Sequence, residues 1–204
     1  MRPLLLLLFV AALNTRAATP VVTGYLPHYR AGIIDTLPVE KLTDIIYFSV
    51  SPKANGSLDT SKVESAVLRK LTQRAHMKRT RVHICVGGWE LSAGFAPMTN
   101  NPTARATFIR NLTTFIRTHK LQGADIDWEH PKTEVEIHNY QKLLIELKRA
   151  FVPHRLWLTV AVAGWGKYIK PETIPFIDRF HIMAYDQGTP HATFSGAVKD
   201  MKQW

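Results

Sequence analysis

Apolar residues along this chain fall into short continuous runs, separated by longer stretches in which they recur every third or fourth position. The runs at residues 21–26, 45–49, 82–86, 124–128, 156–162 and 180–185 predict β-strands. Most of them lack strict alternation, as parallel strands covered by helices should. Between them, Val63, Val67, Leu68 and Leu71 make one helical stripe, and Phe108, Leu112, Phe115 and Ile116 make another. A third stripe comprises Ile137, Tyr140, Leu144, Leu147 and Phe151, preceded by Thr133 and Glu136 at capping-box spacing. Asn55-Gly56 reads as a turn, and residues 164–175 read as a loop. Repeated strand–helix units imply an α/β fold with a parallel sheet, either doubly wound or closed into a barrel. Periodicity does not separate the two. The chain carries no internal repeat, low-complexity tract or interdomain linker.

The N-terminus belongs to a different pattern. Met1-Arg2, the apolar stretch 4–13 and the small residues around Ala17 have the layout of a secretory signal peptide, with cleavage near residue 17. The apolar stretch is too short to span a bilayer. Residues 18–204 are then the folded domain, and a secreted protein, extracellular or periplasmic, without a membrane span is expected. Losing Arg2 and Arg16 lowers the formal charge of +10 to +8. The remaining basic residues are scattered along helical stretches such as 62–81 and 142–149, with no dense run and no nucleic-acid module. They read as solvated helix faces, and nucleic acid is not an expected partner. Cys85 is the only cysteine, so no internal disulfide can form, and its apolar run predicts a buried, inert thiol. Asn55-Gly56-Ser57 and Asn111-Leu112-Thr113 match the N-glycosylation pattern.

The chemistry concentrates in Gly123-Ala124-Asp125-Ile126-Asp127-Trp128-Glu129. Strand side chains alternate, so Asp125, Asp127 and Glu129 are expected on one face, with Ile126 and Trp128 on the other. Three carboxyl groups so placed repel one another when ionised and therefore hold protons to higher pH than isolated ones. A general acid near neutral pH can be made that way. A solvated acidic edge or an oxygen-rich metal site are the alternatives. The apolar residues leading into the strand disfavour the first, and the absence of a matching histidine cluster disfavours the second.

These residues resemble a known signature. Asp125-x-Asp127-x-Glu129 after Gly123 is similar to the D-G-x-D-x-D-x-E motif of glycoside hydrolase family 18. Val86-Gly87-Gly88-Trp89 resembles that family's strand-three S-x-G-G element, and Met183-Ala184-Tyr185-Asp186 its strand-six M-x-Y-D element. Gly24-Tyr25 is similar to the opening of its first strand. The resemblance runs from about Val21 to the end and implies a TIM-type (β/α)8 barrel with its site at the C-terminal ends of the strands. It implies hydrolysis of β-1,4-linked N-acetylglucosamine polymers, chitin first, by a substrate-assisted retaining route. In that scheme Glu129 protonates the glycosidic oxygen, Asp127 orients the N-acetyl group and stabilises the oxazolinium ion, and Asp125 shares the proton of Asp127. Tyr185 hydrogen-bonds the acetamido oxygen; Met183 and Asp186 line the same subsite. Tyr25 and Trp89 are candidates for stacking on sugar rings, and Gly87 and Gly88 for letting substrate approach the backbone. No metal or organic cofactor is implied, and the partner is chitin or an N-acetylglucosamine oligosaccharide bound by a monomer.

Three departures from the pattern stand out. Gln122 replaces the first Asp of the signature, and Cys85 stands where Ser is usual. Only six strands are counted by Tyr185 against the eight of a closed barrel, which leads to the expectation that the chain is part of a longer protein, with residues 194–204 opening the next helix. The competing readings are a lectin-like chitin binder on the same fold, an inactive fragment, and an endo-β-N-acetylglucosaminidase. Retention of Glu129 favours an enzyme over a binder.

Overall fold

The computed structural model describes residues 20–186 and 188–204; the segment 1–17, expected from the sequence to be a signal peptide, lies outside the described residues. Six parallel strands run β1 (Thr23–Pro27), β2 (Asp44–Pro52), β4 (Arg81–Gly87), β5 (Gly123–Asp127), β6 (Trp157–Ala163) and β7 (Arg179–Met183), each hydrogen-bonded to the one before it. A two-residue strand β3 (Leu58–Asp59) pairs antiparallel with the end of β2. A doubly wound sheet would reverse its order at a switch point. This one never reverses, so the ambiguity left by periodicity resolves as consecutive strands of a (β/α)8 barrel. Strand boundaries differ from the expected ones by a few residues, and β3 had no counterpart in the sequence pattern.

The two faces of the sheet have different compositions. Ile45 and Tyr47, Val82, Ile84 and Val86, Ala124 and Ile126, and Leu158, Val160 and Val162 face the helices and form one buried apolar cluster with them. That cluster takes up Leu68 and Leu71 from α1 (Ser65–Met77), Phe108, Leu112 and Ile116 from α3 (Pro102–Thr118), and Tyr140, Leu144, Leu147 and Phe151 from α4 (Glu134–Phe151). The stripes seen in the sequence are therefore the inward faces of these helices. The caps are built as the sequence suggests for α4. Thr133 Oγ1 accepts from the Glu136 N–H while the Glu136 carboxylate accepts from the Thr133 N–H. In α3 the Asn101 side chain accepts from the N–H groups of Thr103 and Ala104, with Pro102 in the first turn. A short helix, α2 (Phe95–Asn100), and the terminal α5 (Phe194–Met201) complete the α-helices, and the expected loop 164–175 contains the start of a 3₁₀ helix, Pro171–Phe176. No helix among the described residues is long and apolar enough to cross a membrane.

The opposite face of the sheet is polar at its N-terminal end. Asp44, 1% exposed, accepts two hydrogen bonds from Arg81 at 2.5 and 2.8 Å and one from Arg179 at 2.8 Å, with His83 Nε2 at 3.0 Å. The two guanidinium groups lie 4.3 and 5.4 Å from the Trp157 ring centre on β6. A floor of one carboxylate and three cationic or imidazole groups thus links β2, β4 and β7. Gln122 sits at this end as well. Its Oε1 accepts from the Val82 N–H at 2.8 Å and its Nε2 donates to the Lys120 carbonyl at 3.0 Å. The first departure from the signature is therefore a local support at the entrance of β5.

Candidate active site

The acidic residues stand at the opposite, C-terminal end of β5. Asp125 is flanked in register by Cys85 on β4 and Thr159 on β6, and Asp127 by Gly87. The strand stops at Asp127 because Trp128 turns into the core, stacked on Phe95 at 5.1 Å and edge-on to Tyr140 at 5.2 Å. That anchor returns Glu129 to the same side as Asp127, just beyond the strand. The loop after β4 then pins it: the Glu129 N–H donates to Ser92 Oγ at 3.1 Å, and the Trp89 backbone N–H reaches its carboxylate. Ser92 Oγ also lies 3.1 and 3.2 Å from the carbonyls of Gly88 and Asp127.

Gly87 and Gly88 are placed differently from the expectation. Neither lines the cavity. Both have positive φ, and the Gly88 N–H donates to the Asp127 carbonyl at 2.7 Å. A Cβ on Gly87 would fall 2.3 Å from that carbonyl oxygen, and one on Gly88 would fall 2.2 Å from the Phe48 ring. Their work is to let the β4 loop close against Asp127.

The three carboxyl groups occupy three environments. Burial alone would raise Asp125, but the His181, Thr159 and Tyr25 hydrogen bonds outweigh it and hold the carboxyl below the ordinary Asp range. The donors are Thr159 Oγ1 at 2.5 Å, Tyr25 Oη at 2.7 Å and His181 Nδ1 at 3.0 Å. Asp127 lacks such donors: its Oδ1 is buried without a partner, and Cys85 Sγ is 4.0 Å from Oδ2. Burial, then the negative charges of Glu129 and Asp125, push it up to about 8. Glu129 is raised too, mainly by burial, against the opposing Trp89 N–H and Asp127 contacts. The Cys85 thiol is pushed up by burial and by the same carboxylates, which leaves it inert.

Over this cluster lies a cavity of about 370 Å³ lined by Tyr25, Pro27, Tyr29, Phe48, Trp89, Asp127, Glu129, Ala161, His181, Ile182, Met183 and Tyr185. Six of the expected site residues meet there: Tyr25, Trp89, Asp127, Glu129, Met183 and Tyr185. Asp125 lies beneath, held by Tyr25 and His181. Asp186 borders an adjoining depression that shares Trp89, Glu129, Met183 and Tyr185 with this cavity, and its charge adds to the upward push on Glu129. The chain turns at its positive φ, and its carboxylate also meets His191 at 3.2 Å. Tyr29, Phe48, Ser92, Ala161 and His181 were not singled out in the sequence. Strand alternation from Met183 would have found His181, two residues upstream on the same face.

Comparison with known proteins identifies the family. Residues 21–202 match the model of Glycosyl hydrolases family 18, and the chain belongs to that family. It is 28% identical over 183 residues to "Probable chitinase 2" of Drosophila melanogaster, covering 79% of this chain and 38% of that protein. It is 29% identical over 182 residues to the "Endochitinase" of Manduca sexta, covering 78% of this chain and 33% of the relative. Among solved structures, the Ostrinia furnacalis Group IV chitinase in complex with allosamidin superposes with a TM-score of 0.75 at 25% identity, covering 82% of this chain and 51% of that one. The chain thus spans between a third and two fifths of the length of these two curated relatives.

Proposed function

We propose that this chain carries the acid-bearing half of a secreted chitinase, a glycosidase that cleaves β-1,4-linked N-acetylglucosamine polymers with retention of configuration. The observation that carries the reading is the divergence of the carboxyl groups. Asp125 is a fully solvated-by-protein carboxylate, while the Asp127–Glu129 pair keeps a proton above the ordinary carboxylate range at the mouth of an aromatic-walled cavity. Neighbouring acids pushed apart in protonation are what acid–base catalysis of glycoside cleavage needs. The walls of Tyr25, Phe48, Trp89 and Tyr185 suit the apolar faces of sugar rings.

In this reading Glu129, at the cavity wall and fixed by Ser92 and Trp89, donates its proton to the glycosidic oxygen. The N-acetyl oxygen of the substrate attacks the anomeric carbon, and the bond to the leaving sugar breaks. Asp127 takes the acetamido N–H and stabilises the oxazolinium charge; Tyr185 faces the acetamido oxygen. Glu129 then deprotonates the water that opens the ring. Incubation with N-acetylchitooligosaccharides should release products whose initial anomeric configuration, followed by NMR, is that of the substrate. Asp127→Asn should lower kcat by about 10²–10³-fold with KM little changed, because the lost interaction forms in the transition state. Inverted product, or a variant as fast as the parent protein, would overturn the mechanism.

Export is part of the same proposal and rests on the N-terminal pattern. It has a second consequence at the two glycosylation sites. Asn55 is exposed on its turn, whereas the Asn111 amide nitrogen, the atom a glycan would occupy, donates to the Gly56 carbonyl at 2.9 Å under that same turn. Secretion from a eukaryotic host should therefore give folded protein with its glycan at Asn55. Peptide mass analysis of the secreted protein checks this; a glycan on Asn111 in folded material would contradict it.

A further inference from the structure

Asp125 makes contacts that its place in the acidic motif does not account for. His181, on β7, brings Nδ1 to 3.0 Å from Asp125 Oδ1 and to 3.2 Å from Tyr25 Oη, with the Tyr25 and His181 rings edge-on at 5.9 Å. A carboxylate only accepts, and the Tyr25 hydroxyl already spends its hydrogen on Asp125 Oδ2 at 2.7 Å. The hydrogen of the contact therefore belongs to the imidazole, on Nδ1. The other nitrogen, Nε2, is buried with no hydrogen-bond partner. Asp125 is thus surrounded by three donors from three different strands: Tyr25 of β1, Thr159 of β6 and His181 of β7.

We propose that His181 is a positioning residue of the acidic cluster. Its Nδ1–H completes the donor shell of Asp125, so that Asp125 stays a fixed anion and the mobile proton is confined to Asp127 and Glu129. The inference rests on the catalytic reading above and sharpens it: the proton is not shared between Asp125 and Asp127, as the signature implies, but held on the outer two carboxyl groups. The depressed titration of Asp125, to which His181 contributes both a hydrogen bond and a favourable charge interaction, agrees with this. The other titratable groups around the cluster are Tyr25 from β1, Cys85 from β4, Asp127 from β5, Tyr140 from α4, and Glu129, His130, Tyr168 and Tyr185 beyond the strand ends. Arg179, two residues upstream on β7, is engaged by Asp44 at 2.8 Å.

Two measurements on the whole chain test the proposal without relying on turnover. In the parent protein, the imidazole ¹⁵N resonances should place the His181 hydrogen on Nδ1; a hydrogen on Nε2 alone would overturn it. In His181→Phe, which keeps a ring but no donor, the Asp125 carboxyl carbon should titrate about one pH unit or more higher than in the parent, the scale expected for losing one hydrogen bond to a charged acceptor. His181→Asn, which keeps an N–H, should recover part of that shift. An Asp125 titration identical in all three proteins would make His181 mere packing. With chitooligosaccharides as substrate, the acid limb of kcat/KM should move up in His181→Phe by the same interval, with KM little changed. A parent protein that binds but never cleaves would refute the catalytic reading, while the tautomer and the Asp125 titration would still decide the role of His181.

Discussion

Glu129→Gln should lower kcat on chitooligosaccharides by about 10²–10⁴-fold, the usual worth of a positioned general acid, and leave their dissociation constant little changed. The amide keeps the shape, the Ser92 hydroxyl engages the backbone of residue 129, and the amide oxygen can still accept from the Trp89 N–H. Only the transferable proton is lost. Calorimetric binding paired with product analysis separates the two effects. Equal activity in the variant would remove Glu129 from the chemistry. The parent enzyme should also lose rate as the pH rises through about 8, because the Asp127–Glu129 pair then surrenders its proton. The sign follows from both pKa values lying above the ordinary range: the active protonated pair exists at lower pH and disappears at higher pH.

Asp44→Asn should cost about 3–5 kcal/mol of folding stability, the usual effect of removing one partner from a buried ion pair. Among the described residues the carboxylate is the anion that Arg81, His83 and Arg179 share, and without it two guanidinium groups are left together beside Trp157. Urea unfolding measures the loss, and a midpoint unchanged within error would show that the floor is solvated in practice. Burial alone would raise Asp44, but the Arg81, His83 and Arg179 hydrogen bonds hold it well below the ordinary Asp range. Its folded-state pKa is depressed, so its stabilisation is present above the unfolded-state value of about 3.9 and fades only as the pH falls below it.

The sequence made much of this readable. Continuous apolar runs located the strands, the stripes ending at Phe151 and Ile116 located helix faces, and period two put Asp125 and Asp127 on one side. These signals are local, set by neighbours a few positions away. What stayed hidden depends on residues distant along the chain. Arg179 looks like a solvated charge at a strand start until Asp44 appears beside it. Ser92, in an undistinguished loop, acquires its role only because Trp128 sends Glu129 back towards it. Gly87 and Gly88 were read as room for a ligand, yet the space they leave is filled by the Asp127 backbone and the Phe48 ring. Asp186 stands beside Glu129, Met183 and Tyr185, and only its contact with His191 was hidden.

The link between Asp44 and Arg179 also bears on how the chain reaches its fold. Most contacts in a strand–helix repeat join neighbouring units and can form early, at small loop-closure cost. This pair closes a loop of 135 residues, and Tyr25 with His181 closes one of 156. Neither can form before β7 has docked, so the floor and the Asp125 shell are late events that wait for the last strand. Once made, they tie the first strands to the last, and loosening β7 strips Asp44 of Arg179 and Asp125 of His181 together. Docking of β7 therefore completes the Asp44 floor and the donor shell of Asp125 in the same step.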